Sequence, residues 1–197
     1  MRILIIGASG TIGRAIASAL GRHELVLASK QKSHEQVDIS DTGSVRALFK
    51  RVGRVDAVVN AAGGAAWKPL AELTDADFAF SFANKLMGQI NLVRLGTELI
   101  NDNGSITLTA GSLARHPQVN SAAVSTVNAG LEGFVRAAAL ESPRGHRVNV
   151  VSPPWVSETL QGMGMDSANG FPAADVARSY VESVEGTQTG QVLVPRR

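Results

Sequence analysis

Three glycines spaced by threes constrain this chain more than anything else in it. Gly7, Gly10 and Gly13 follow an apolar run, Ile3 to Ile6, of the kind that makes a strand buried on both faces. Arg14 to Gly21 then reads as helix. At a strand-turn-helix junction each glycine has a mechanical use. Gly7 permits the tight turn, Gly10 lets backbone lie against a pyrophosphate, and Gly13 lets the helix sit close to the strand. The unpaired N–H groups at the helix start, with the helix dipole, favour a phosphate. The spacing is G-x-x-G-x-x-G rather than the commoner G-x-G-x-x-G. The competing reading is a sharp turn in an α/β domain that binds nothing.

Strands and helices alternate along the rest of the chain. Glu24–Ala28 reads as the second strand, Val37–Ile39 as a short third, Asp56–Asn60 as the fourth and Ser105–Thr109 as the fifth. Arg147–Ser152 and Gln191–Val194 close the series. Helices are expected over Ser44–Val52, Ala76–Ile100, Asn120–Glu141 and Pro172–Glu182, with Asn101 to Gly104 as a stop and turn. The segment Ser157 to Pro172 reads as a short, mobile cover. Such alternation predicts an α/β fold, a Rossmann-like doubly wound parallel sheet of about seven strands with helices on both faces. At 197 residues, and with no linker or repeat, residues 1–197 are expected to form a single domain.

Composition excludes several functions. The chain has no cysteine, so disulfides and thiol catalysis are out and the case for structural zinc is weak; no metal site is expected. A net charge of +2 without a basic run gives no argument for nucleic acid. No apolar run reaches the roughly 18 residues of a membrane span. The opening MRILIIGASG reads as strand and turn rather than a signal peptide, so a soluble cytoplasmic protein is expected.

Beyond the second strand, where NAD-binding folds often carry an acid for the ribose hydroxyls, stand Ser29, Lys30, Gln31, Lys32 and Ser33. Two lysines and no carboxylate favour NADP(H) over NAD(H). Asp38 has two readings, as an acceptor for the adenine amino group or as a cap for the helix near Asp41. Asn60-Ala61-Ala62-Gly63 forms a small-residue turn after the fourth strand. Its asparagine amide is suited to tying strand ends together.

In this order the landmarks resemble the short-chain dehydrogenase/reductase family over nearly the whole chain. The resemblance assigns Gly7, Ser9, Gly10, Thr11, Ile12 and Gly13 to the cofactor turn. It assigns Asp38 and Ile39 to the adenine side, after Ser29 and Lys30 at the ribose. Asn60, Ala61, Ala62 and Gly63 match the family's N-N-A-G element, and Asn84 its functional asparagine on the long fourth helix. Ser112 matches the catalytic serine. Asn149 to Thr159 resembles the N-x-V-x-P-G…T stretch that holds the nicotinamide, through Pro153, Val156 and Thr159. The resemblance also implies a small-molecule substrate and a homodimer through the Ala76–Ile100 and Asn120–Glu141 helices.

It breaks at the catalytic pair. The family's Y-x-x-x-K on the fifth helix is matched by Val124 and Asn128. Valine cannot donate a proton, and Asn128 can bond a ribose hydroxyl but carries no charge. The chain's one tyrosine, Tyr180, falls in the last helix. His116, four residues after Ser112, is a candidate acid or else an exposed loop histidine. Three readings follow: an atypical reductase of a small carbonyl, a catalytically inactive NADP(H)-binding sensor, and a structural dimer subunit.

Overall fold

A computed structural model describes residues 1–196. Seven parallel strands form one sheet: β1 (Arg2–Ile6), β2 (Glu24–Ser29), β3 (Glu35–Gln36), β4 (Val55–Asn60), β5 (Ile100–Thr109), β6 (Arg147–Val151) and β7 (Val192–Leu193). Their order is β3-β2-β1-β4-β5-β6-β7, so the winding reverses between β1 and β4. In sheets of this type ligands bind beyond the carboxyl ends of the strands at that reversal.

The two-sided burial of β1 organises the layers. Leu4 and Ile6 face one core with α2 (Thr42–Val52), α4 (Gly88–Gly96) and α5 (Ala122–Glu141), through Leu48, Leu92 and Leu131. Ile3 and Ile5 face the other core, against α1 (Thr11–Ala19) and α7 (Ala173–Glu185), through Ile16, Val176 and Tyr180. Full burial of one such side chain contributes about 1.5–3 kcal/mol. A doubly wound parallel sheet with helices on both faces is thus what the alternation predicts and what forms.

Three expected elements differ. Val37–Ile39 is not the third strand; β3 precedes it at Glu35–Gln36. The Asp38 carboxylate accepts bonds from the backbone N–H and hydroxyl of Ser40, which closes a local turn in place of a ladder. Val37 and Ile39 are apolar because they drop into the core, Ile39 against Gly88.

The expected helix over Ala76–Ile100 is three pieces. Thr74 caps α3 (Asp75–Ser81) in a reciprocal box with Asp77. A π-helical stretch, Phe82–Met87, follows, and α4 ends at Gly96. Ile100 already belongs to β5, paired with Val55, and the next pair is Ala57 with Ser105. Asn101 to Gly104 is therefore a bulge inside β5 rather than a turn before it. Asn103 takes a positive φ of 61° there, and a Cβ on Gly104 would lie 2.6 Å from the carbonyl oxygen of Asp56. The Ser157 to Pro172 segment carries a short helix, α6 (Ser157–Gly162), and a bridge from Val156 to Phe171.

Candidate functional site

The glycine turn has the form its sequence predicts. Gly7 has φ +83°, and a Cβ there would sit 2.7 Å from the backbone nitrogen of Ala62. A Cβ on Gly13 would overlap the Gly7 carbonyl, so the helix approaches the strand as closely as glycine allows. Both N–H groups of Gly7 and Ala8 bond the Ala28 carbonyl, at 2.8 and 3.1 Å, which fixes the turn to the end of β2. Gly10 is the N-cap of α1 and no side chain caps it. With no side-chain acceptor there, the helix start presents backbone N–H donors of the kind that suit an anion.

A polar network holds the strand ends beside this turn. Thr109, at the end of β5, donates its hydroxyl proton to the Asn60 carbonyl and accepts a 2.6 Å bond from the Tyr180 hydroxyl. Its backbone N–H donates to Gln89 Oε1, and Gln89 Nε2 donates to its carbonyl, both at 2.8 Å. Gln89 is fully buried, and the same Nε2 reaches the Lys85 carbonyl at 3.1 Å. The amide of Asn60 does not tie strands together as expected. It bonds the backbone of Ala62 at 2.7 Å and shapes its own turn, and the tie belongs to Thr109. Burial pushes the Tyr180 hydroxyl above its ordinary value of 10, against the opposing bond to Thr109. It is a structural group.

Over this network lies a cavity of about 410 Å³ at the winding reversal. Ile12, Ala61, Ala62 and Gly63 line it from the turns after β1 and β4. Ser112, Asn128, Pro153, Val156 and Thr159 line it from the other side, with Val124 at the expected tyrosine position. The Ser112 backbone N–H bonds the Pro153 carbonyl at 2.8 Å, which ties the loops after β5 and β6 together. Ser152 beneath them donates to the buried Glu132 carboxylate at 2.9 Å. Trp67 and Trp155 meet edge to face at the mouth, centroids 5.4 Å apart, and Trp155 Nε1 donates to Gln118.

Asn84 and His116 stand differently. Asn84 does not line the cavity; its neighbour Lys85 does. The π turn holds one residue more than an α turn, which advances the helical phase by roughly 100°. His116 is exposed and also outside the lining. Sequence reasoning missed Lys85 and Gln89 alike. A usable signal was present: Gln89 lies on the buried stripe with Leu92, Val93 and Gly96, and Lys85 is four residues before it on the same face.

At the end of β2, Ser29 is buried and its hydroxyl bonds the Gln31 carbonyl and, at 2.8 Å, Ser33. Lys30 pairs with Asp38 at 2.7 Å, and that bond holds the carboxyl below its ordinary range, with help from Ser40. Asp38 is not a helix cap; Asp41 caps α2. Among the described residues no cluster of three His, Asp or Glu side chains is set to hold a metal ion.

The residues present fit a dinucleotide. A Cβ-free cradle meets an uncapped helix start at one end. At the other, Asn128 is 2% exposed and its Oδ1 has no hydrogen-bond partner, so a buried acceptor waits for a donor such as a ribose hydroxyl.

Fold and site together define a dinucleotide-binding domain of the doubly wound α/β class. The family model described as enoyl-(acyl carrier protein) reductase matches residues 7–191. The chain belongs to the short-chain dehydrogenase/reductase family, an oxidoreductase family that uses nicotinamide dinucleotides. It is 40% identical to protein lin1944 from Listeria innocua, each chain covered in full, with a TM-score of 0.96. It is 28% identical over 166 residues to 2,3-dihydro-2,3-dihydroxybenzoate dehydrogenase of Escherichia coli, covering 73% of this chain and 67% of that enzyme. The chain thus spans about two thirds of that relative's length. A small-chain dehydrogenase solved in complex with NADPH shares the fold, with a TM-score of 0.86 at 24% identity over 98% of this chain and 95% of that one.

Proposed function

We propose that this chain is an NADP(H)-dependent oxidoreductase that interconverts a small carbonyl and its alcohol with a rearranged set of catalytic side chains. The observation that carries the reading is Asn128, a residue lining the cavity at the winding reversal whose buried Oδ1 has no hydrogen-bond partner. An unpaired buried amide oxygen costs about 1–3 kcal/mol, a cost that a ribose hydroxyl would remove. When bound, the dinucleotide supplies or accepts a hydride. Gly7 to Gly13 would hold its pyrophosphate, Asn128 its ribose, and Pro153, Val156 and Thr159 its nicotinamide end. Ser112 is the polar group for the substrate oxygen.

The preference for NADP(H) is supported by Lys32 and Ser33 beyond β2 and by Lys30, which in this structure pairs with Asp38. The protein is read as a single-domain cytoplasmic homodimer. Support for the dimer is the exposed apolar side chains carried by the α3–α4 segment and α5: Phe80, Met87 and Leu140 are 49, 42 and 89% exposed.

The test is a titration with NADPH and NADH followed by tryptophan emission, because Trp67 and Trp155 both line the cavity. Tight NADPH and weak NADH binding is expected. Binding of neither overturns the reading. A second reading, an NADP(H)-binding sensor, is favoured by Val124, which removes the usual proton donor from the wall. Tight NADPH binding without turnover of any carbonyl would select it.

A further inference from the structure

Reduction of a carbonyl leaves an oxygen that must take a proton. Val124 has none to give, and exposed His116 is off the cavity wall. Tyr180 is fully buried, its hydroxyl committed to Thr109, and it is off the wall too. Among the described residues Lys85 is the only ionisable side chain lining the cavity, and no carboxylate pairs with its ammonium.

The backbone aims this lysine. Its π turn sits against the turn after β4, where a Cβ on Gly63 would lie 3.2 Å from the Lys85 Cα and 3.4 Å from its Cγ. Gln89 anchors the Lys85 carbonyl to the same amide that clamps Thr109. Ser112 and Asn128 share the wall. The cation expected on α5 is therefore absent there, and one stands on the facing π turn.

We propose that Lys85 is the catalytic acid–base of this site, giving an ammonium proton to the substrate oxygen in reduction and taking it back in alcohol oxidation. The proposal rests on the oxidoreductase reading above. The carbonyl carbon receives a hydride, with its electron pair, from a bound dihydronicotinamide, which is oxidised. The C=O π electrons move to oxygen. An N–H bond of Lys85 breaks as the new O–H bond forms, and the carbonyl is reduced to an alcohol. The neutral amine then regains a proton from solvent water. Burial supports the assignment: it lowers the Lys85 ammonium from 10.5 to about 8, where it is mostly charged at neutral pH yet gives up its proton readily.

The experiment uses the full-length protein carrying lysine labelled with ¹³C at the ε carbon, assigned through Lys85→Arg. Lys85 is expected to titrate near pH 8. With NADPH and a panel of small aldehydes and ketones, kcat/KM is expected to fall about tenfold per pH unit above that value. Lys85→Met is expected to lower kcat by roughly a hundredfold or more and to abolish that limb, with the Kd for NADPH within about threefold. Lys85→Arg keeps the charge but not the titration, and is expected to lose both the limb and the rate. Titration of Lys85 at pH 10 or above overturns the proposal, as does an alkaline limb that survives in Lys85→Met. No turnover with intact NADPH binding overturns it and leaves the sensor. Failure to bind NADPH overturns the reading beneath it first.

Discussion

Replacing Gln89 by leucine removes the amide that completes the sheet where β4 has already turned away. The last β4–β5 pair is Val59 with Thr107, so beyond it the Thr109 N–H and C=O have no strand to meet on that side. Gln89 fills both, at 2.8 Å each, as a short stand-in for strand backbone. Leucine has nearly the same volume and no polar atom. It leaves two buried backbone groups unpaired, each at about 1–3 kcal/mol, or roughly 2–6 kcal/mol together. The apolar side chain returns about 1–2 kcal/mol through burial, so the central values leave a net loss of about 2.5 kcal/mol. In a domain of this size 1 kcal/mol moves Tm by about 2–4 °C, so a fall of about 5–10 °C is expected. Calorimetry on both proteins at one pH and concentration reads it. Gln89→Glu keeps the acceptor for the Thr109 N–H but loses the donor and brings a charge into a dry site, so it should fall further. A Gln89→Leu protein melting with the wild type would refute the claim that this amide substitutes for strand pairing. An intact ladder with a displaced Lys85 carbonyl would appear instead as an unchanged Tm and a shifted Lys85 titration.

Gly13→Ala places a methyl group on the Gly7 carbonyl, which is backbone and cannot rotate away. A loss of about 1–3 kcal/mol in urea unfolding and weaker NADPH binding are expected. Gly133→Ala is the opposite case: nothing lies within 4 Å of a Cβ there, so the helix gain of about 1 kcal/mol should raise Tm in the monomer. A fall with protein concentration held in the dimer range would mean that a partner covers Gly133. His146 is 4% exposed, and burial first and the Arg144 charge second hold its pKa below 6.5. The unfolded chain therefore binds the proton more readily, and stability is retained above pH 6.5 and lost as pH falls below it. Urea unfolding between pH 7.5 and 5.5 should show that fall, and His146→Asn should flatten it.

The glycine turn was legible because its constraints are local and steric. An apolar run buried on both faces and glycines with no room for a Cβ leave few other structures open. The third strand was misplaced because Val37 and Ile39 carry the composition of a strand while Asp38 between them closes a turn with Ser40. Side-chain competition for backbone groups does not show in hydrophobic patterning. The long fourth helix misled for a related reason. A π turn preserves helix composition on both sides and changes only the phase, and the family resemblance places the functional position at Asn84, one residue before the Lys85 that lines the cavity. The bulge in β5 was hidden because Asn101 to Gly104 has the residues of a turn. Those residues serve equally to carry the positive φ of Asn103 inside a strand.

The two side chains that face the cavity at the greatest cost to folding identify which part of the site carries the chemistry. An amide oxygen buried without a partner, as on Asn128, lowers stability, and so does an ammonium partly stripped of water without a carboxylate, as on Lys85. Other buried polar groups near the site are satisfied, Glu132 by Ser152 and two arginines and Thr109 by Gln89, Asn60 and Tyr180, while Ser105 Oγ and the His146 ring, both off the cavity wall, also stand without a partner. Folds pay such costs where a ligand or a reaction makes them good. A cavity that had lost its role with the tyrosine and lysine of the family would gain stability by replacing both groups with apolar ones, as Val124 shows is sterically possible on the same wall. Double substitution Lys85→Met with Asn128→Leu should therefore melt higher than the parent without NADPH. It should lose most of the stabilisation that NADPH gives the parent, which is RT ln(1 + [L]/Kd), or about 2.7 kcal/mol at a hundredfold excess over Kd. A double variant that melts lower and gains equally from NADPH would show that neither side chain is held there for the ligand.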